Sequence, residues 1–255
     1  MNFFKVLIAS FYDLLRNNYA YHSGALTYQF LLAIAPLSIV LFNLLSLMPF
    51  IDTERIVEFV DNFLPQYTNK VIHEIITLQS HGKQASVIAV VLSYFFSVGF
   101  VKNLSKAFAF VSENTLGQKH ELVYWITMPI LLLALVLILA LFFFINLVIK
   151  MIVPLNYSFV IAFTYISLGT LVLIFIYITF LNRRIKVKHL LISSFISSLL
   201  IFIAQALFTW YVANIFRGSL LYGSLSTLVA FLIWSNLNFL VIIFGARLIY
   251  RLENP

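Results

Sequence analysis

The stretch YHSGALTYQFLLAIAPLSIVLFNLLSLMPF, residues 21–50, decides the fold class, because it runs its whole length without one Asp, Glu, Lys or Arg. As helix it exceeds the roughly 20 apolar residues that cross the hydrocarbon core of a bilayer. Four residues in it do not belong in hydrocarbon: His22, Gln29, Pro36 and Asn43. They recur at a spacing of seven, and seven steps of about 100° return to the same side of a helix with a drift of about 20°. One narrow face therefore carries an imidazole, two amides and a proline. Pro36 removes the backbone bond to the carbonyl of Leu32 and predicts a kink near mid-span. Amides turned toward lipid would leave donors unsatisfied, so this face looks at protein or water. It serves either as interhelical glue, at about 1 kcal/mol or less per hydrogen bond, or as one wall of a polar cavity.

The rest of the chain extends the reading. Its 255 residues are 62% hydrophobic and 10% charged, with a mean hydropathy of +1.02, against about 25% charged in soluble domains. That composition describes an integral membrane protein with no room for a large soluble domain. Apolar windows fall at 24–50, 85–101, 122–149, 157–181, 190–214 and 219–246. The alternation of a membrane barrel is absent, so the expected fold is all-α, a polytopic membrane protein with six transmembrane helices in a single domain over 1–255. Residues 2–17 place Phe3, Phe4, Leu7, Ile8, Phe11, Leu14 and Leu15 on one face, with Lys5, Asp13 and Arg16 off it, which predicts an amphipathic helix in the membrane interface. Residues 51–84 read as an external helical hairpin divided at Pro65. With the N-terminus in the cytoplasm, eleven of the sixteen Lys and Arg lie inside, among them the cluster NRRIKVKH at 182–189. This bias orients both termini inward. It also accounts for most of the net charge of +7 without nucleic acid.

No enzyme is expected. Asp13, Glu113, Glu121 and Glu253, the carboxylates placed in the cytoplasm, lie far apart in sequence. The five histidines show no ligand spacing, there is no cysteine, and no nucleotide-binding or nucleophile-elbow motif occurs. Neither a metal nor another cofactor is implied. The central parts of the spans carry no charged residue, which argues against proton-coupled antiport.

Polar uncharged residues carry more information. In the fifth span Ser194, Ser198, Gln205 and Thr209 stay within about 60° of one another, and in the sixth Thr227, Trp234, Asn238 and Gly245 hold within about 40° while Asn236 faces the other way. His22, Gln29, Pro36, Asn43, Gln205 and Asn238 are thus the candidate cavity-lining residues. In the second span Ala85, Ala89, Ser93 and Ser97 form a ladder of small residues that admits close helix packing. Lys102, Lys106, Arg183 and Arg184, with Lys186 and Lys188, form a basic collar. It anchors the protein in the inside-positive sense or holds anionic phospholipid headgroups.

The segments ALTYQFLLAIAP at 25–36, NFLP at 62–65, the basic loop after the fourth span and YGSLSTLVAFLIWSNLNFLVIIFGAR at 222–247 appear in an order that resembles the YihY/BrkB family of bacterial inner-membrane proteins, some once labelled ribonuclease BN. The resemblance implies six transmembrane helices in the bacterial inner membrane with both termini in the cytoplasm. One departure is clear: the family commonly ends its last span with Gly-Ala-Glu, and here Gly245-Ala246 is followed by Arg247. Polar stripes without charges, above a basic collar, lead to the expectation of a transport or lipid-translocation role for a lipid or poorly charged solute. The competing expectation is a non-transporting scaffold that meets an envelope protein through residues 51–84. Ribonuclease activity is not expected.

Overall fold

The structure, a computed structural model, describes residues 3–46, 83–113, 121–152, 157–181, 185–214 and 225–254. Side chains of α2 from residue 34 onward and of α3 before residue 91 fall outside that description. Among the described residues the order is α1 (Phe3–Arg16), α2 (Tyr19–Ser46), α3 (Lys83–Val111), α4 (Glu121–Ile152), α5 (Tyr157–Leu181), α6 (Val187–Asn214) and α7 (Leu225–Glu253). The hairpin expected over 51–84 lies, up to residue 82, outside the described residues, as do Arg183 and Arg184.

Among the described residues four helices contain a window long and apolar enough to cross a membrane: Glu121–Phe142, Ala162–Leu181, Val187–Tyr211 and Val229–Glu253. The first two expected spans fall on α2 and α3. Helix α3 runs ten residues past the expected end of its span, to Val111. The reason is a second apolar face: Val101, Leu104, Ala107, Phe108 and Val111 are buried at helical spacing beyond the membrane window. In α4, Pro129 lies inside the helix and cannot donate to the carbonyl of Trp125 four residues earlier. That carbonyl accepts from the Tyr94 hydroxyl of α3 at 2.6 Å instead.

The main core gathers the start of α2 (Tyr19, Leu26), the second half of α3, the start of α4 (Tyr124, Met128), the end of α5 (Tyr177, Phe180), the start of α6 (Leu190) and the end of α7 (Ile243, Ile249). Successive helices from α2 to α7 therefore run antiparallel, and the chain begins and ends at the same end of the bundle, called basal below. Helix α1 lies across that end, with Val6 packed on Phe244 and Leu248 of α7. Away from the core, helices present exposed apolar stripes, such as Ile126, Ile130, Leu133, Leu137 and Leu141 on α4 and Phe195, Leu199, Ile203 and Leu207 on α6. Apolar stripes of this length suit hydrocarbon rather than water.

Candidate functional site

The stripe on α2 faces α3. The His22 ring lies 4.5 Å, centroid to centroid, from Phe110. The Gln29 carboxamide lies against Gly99, its Oε1 3.0 Å from where a Cβ on that glycine would stand. Pro36 and Asn43 belong to α2, but their side chains fall outside the description. Beside the stripe, Phe30 inserts between α3 and α7. Its ring lies 6.0 Å from Phe100, 6.1 Å from Phe231 and 5.4 Å from Phe239. Asn236, on the side of α7 opposite the expected stripe, meets α2, accepting from the Ser23 hydroxyl at 3.1 Å.

The hydroxyls of α6, on the expected stripe and beside it, face two neighbours. Ser198 donates to the carbonyl of Ile166 on α5 at 2.8 Å, where Gly169 has no side chain to obstruct it: a Cβ there would stand 2.5 Å from Ser198 Oγ. Ser193 instead donates to the carbonyl of Gly245 on α7 at 2.6 Å. Tyr177 of α5 reaches across to donate to the carbonyl of Ile242 at 3.0 Å, with Ser197 Oγ 3.4 Å away. A Cβ on Gly245 would overlap both the Tyr177 hydroxyl and Ser197 Oγ. Small residues here let three backbones approach closely enough for hydroxyls to bridge them. The signal for this arrangement is present in the sequence as the doublets Ser193-Ser194 and Ser197-Ser198. One helical step of about 100° separates the members, and Ser193 turns to α7 while Ser198 turns to α5. Gln205 is half-buried further along α6.

Not all interior polar atoms are engaged. Ser97 Oγ, Ser194 Oγ, Trp234 Nε1, Ser235 Oγ and Asn238 Oδ1 are buried without a hydrogen-bond partner among the described residues. Asn238 directs its Nδ2 to the carbonyl of Trp234 at 2.8 Å and leaves its oxygen unused. Ser235 sits about 40° from both Phe231 and Phe239, and Ser97 about 60° from Phe100, so both hydroxyls flank the Phe30 wedge. Each such group costs about 1–3 kcal/mol while it stays unsatisfied.

The basal end is closed by ion pairs that link three helices. Asp13 of α1 accepts from Arg247 Nε at 2.7 Å and from Arg251 Nε and Nη2 at 2.7 and 2.8 Å. Arg247 Nη1 donates to the carbonyl of Val111 at 2.9 Å and to Glu113 at 3.1 Å, and Tyr250 donates to the same carboxylate at 3.3 Å. Arg247 thus caps the end of α3, whose carbonyls favour a cation. Glu113 stands in the left-handed region at φ 55°, a conformation rare for a side chain of its size. Burial raises the pKa of Asp13, but hydrogen bonds from Arg251 and Arg247 outweigh it and hold the carboxyl below its ordinary value. The partner of the unusual Arg247 is therefore an acid from the first helix, which lay on the polar side of that helix in the sequence. Beside this network, Glu253 accepts from the backbone N–H of Lys186 at 2.9 Å and lies 2.7 Å from His189 Nδ1.

Of the collar, Lys102 pairs with Glu121 at the start of α4 and Lys106 is exposed. Among the described residues no group of three or more His, Cys, Asp or Glu side chains is arranged to hold a metal ion. Asp13 and Glu113 do converge, but on guanidinium groups.

Comparison with known proteins gives a consistent result. The family model for Virulence factor BrkB matches residues 10–255. A UPF0761 membrane protein of Haemophilus influenzae (strain 86-028NP) is 24% identical over 238 residues, 91% of this chain and 88% of that protein. A UPF0761 membrane protein of Coxiella burnetii (strain Dugway 5J108-111) is 28% identical over 240 residues, 89% of this chain and 85% of that protein. No solved structure matches.

Proposed function

From the premise that this chain belongs to the BrkB family of integral membrane proteins, we propose that it moves or admits a lipid or other poorly charged solute across the bacterial inner membrane. In this reading it crosses the membrane six times, keeps both termini in the cytoplasm and is not an enzyme. The observation that carries the reading is the set of unused polar atoms inside the bundle: Ser97, Ser194, Trp234, Ser235 and Asn238. A helical bundle that only needed to hold together would satisfy such groups or replace them by apolar ones. Groups left unpaired in a closed packing gain partners when the packing opens and water or the polar part of a solute enters. The Phe30 wedge then acts as a closure within the bundle, and the Asp13–Arg247–Arg251 network as a closure at its basal end.

The scaffold reading draws support from the other polar side chains. Tyr177, Ser193 and Ser198 are all engaged between helices, as glue should be. One experiment separates the two. The protein is reconstituted in vesicles, and movement of a fluorescent phospholipid between leaflets and entry of a small polyol are both followed, for the wild type and for Ser97→Ala/Ser235→Ala. Removing unpaired buried hydroxyls leaves stability unchanged or slightly raised. The transport reading expects flux above empty vesicles in the wild type and a clear loss in this stable variant. Wild-type vesicles indistinguishable from empty ones for both cargoes would leave the scaffold.

A further inference from the structure

Trp234 and Asn238 stand one turn apart on one side of α7, and between them they leave one donor and one acceptor unused, the indole Nε1–H and the amide Oδ1. Two further observations bear on what could use them. The ring of Trp234 is set among aromatic carbon, 6.0 Å from Phe231 by centroids and packed beside Phe208 and Ala230. The stripe also borders the outer surface: Ile233 and Leu237 are 41% and 39% exposed, and they lie about 60–100° round the helix from Trp234.

From this arrangement we infer that Trp234 and Asn238 form a binding site for the headgroup of an uncharged, hydroxyl-bearing amphiphile that enters sideways from the bilayer. The inference rests on the transport reading above and names the solute class for it. A hydroxyl both accepts and donates, so it answers the indole N–H and the amide oxygen together. A carboxylate or phosphate would face the amide oxygen with no cation beside it among the described residues, and an ammonium group would face the indole N–H. Either would be desolvated without a counter-charge. The neighbouring Ile233 and Leu237 provide an apolar surface for an alkyl chain that stays in the membrane.

The test uses the full chain in detergent, titrated with 1-monooleoylglycerol, with the same molecule methylated on both hydroxyls, and with oleate, bound species being counted by native mass spectrometry. The wild type should prefer monooleoylglycerol to either control by about tenfold or more, and Trp234→Phe and Asn238→Leu should each weaken it by about fivefold, the loss of one neutral hydrogen bond. Trp234→Phe removes an N–H that has no partner in the closed packing, so its melting temperature should match the wild type. Asn238→Leu also gives up the Nδ2 bond to the Trp234 carbonyl, so its melting temperature should fall by a few degrees at most while the protein stays folded. In a Trp125→Phe/Trp210→Phe background Trp234 is the one indole left of three, and its emission should shift on adding monooleoylglycerol. Equal binding of the dimethylated control or of oleate, wild-type binding by both variants, or an unmoved emission each overturns the site. Vesicle flux on the same proteins separates the two levels: binding lost with flux unaltered removes this site and leaves transport, whereas binding as described without any wild-type flux removes transport and leaves the site.

Discussion

Replacing Asp13 by Ala removes the acceptor of three charge-assisted hydrogen bonds from Arg247 and Arg251. The side chains concerned are little exposed, 12% for Asp13, 9% for Arg247 and 27% for Arg251. Breaking a well-buried ion pair by deleting one member costs about 3–5 kcal/mol, because the surviving charge is left unpaired. Here the survivor is partly provided for: Arg247 keeps the Val111 carbonyl and Glu113, and Arg251 can turn to water. We therefore expect about 2–3 kcal/mol, a fall in melting temperature of roughly 4–12 °C for a chain of this size. The measurement is thermal unfolding in detergent at one fixed scan rate, followed by circular dichroism. The double variant Asp13→Ala/Arg247→Met removes the stranded charge as well and should recover at least half of the loss. A fall of less than about 2 °C in the single variant, or a double variant less stable than the single one, would refute the assignment of Asp13 as the anchor of α1.

The same carboxylate makes stability depend on pH. Its pKa is held below the ordinary value in the folded protein, so its contribution is complete above about pH 4, near the unfolded pKa, and disappears as pH falls through the lower folded value; Asp13→Asn should flatten that part of the melting curve against pH. Gly245→Ala forces a methyl against the Tyr177 hydroxyl and Ser197 and should cost about 1–3 kcal/mol, part of which Tyr177→Phe should restore in the double variant. For the collar, Lys102→Gln/Lys106→Gln should lower the occupancy of bound anionic lipid in native mass spectra, and identical occupancy would reduce these lysines to topology signals. Cysteines placed at Gln66 and Lys186 should label from opposite sides of the membrane with an impermeant reagent, and labelling from one side would break the six-span topology.

Fold class was legible because a 30-residue stretch without a charge leaves few choices. The apolar windows expected at 122–149, 157–181 and 190–214 lie on α4, α5 and α6, whereas α7 runs to Glu253, past the window expected to end at 246. Helix ends were less legible. Hydropathy marks where a membrane would end, whereas α3 continues for as long as Leu104, Phe108 and Val111 find a core. The polar stripes were visible as periodicities, but periodicity does not name the neighbour. His22 and Gln29 turned to α3, Ser198 to α5, and Asn236, set aside because it lay off the stripe, joined α2. The ion network was hidden for a different reason. Its members are separated by 234 and 134 positions in the chain, and only the antiparallel path brings them to one end. The presence of Arg247 at the end of the last span did carry a signal, since a guanidinium there requires an acid, and Asp13 was the acid on the polar side of the first helix.

Passage through the interior is tested most directly by asking whether water reaches it. The chain has no cysteine, so Ser97→Cys introduces a single thiol next to the Phe30 wedge, and Leu199→Cys introduces one on the bilayer-facing stripe of α6 as a control. In membranes, a small charged methanethiosulfonate reagent should modify Cys at position 97 to completion while Cys at position 199 stays unmodified, because a thiol in hydrocarbon meets neither water nor reagent. A thiol at position 97 that resists modification for as long as the one at position 199 would mean that the interior never opens to water, and the transport account would be contradicted.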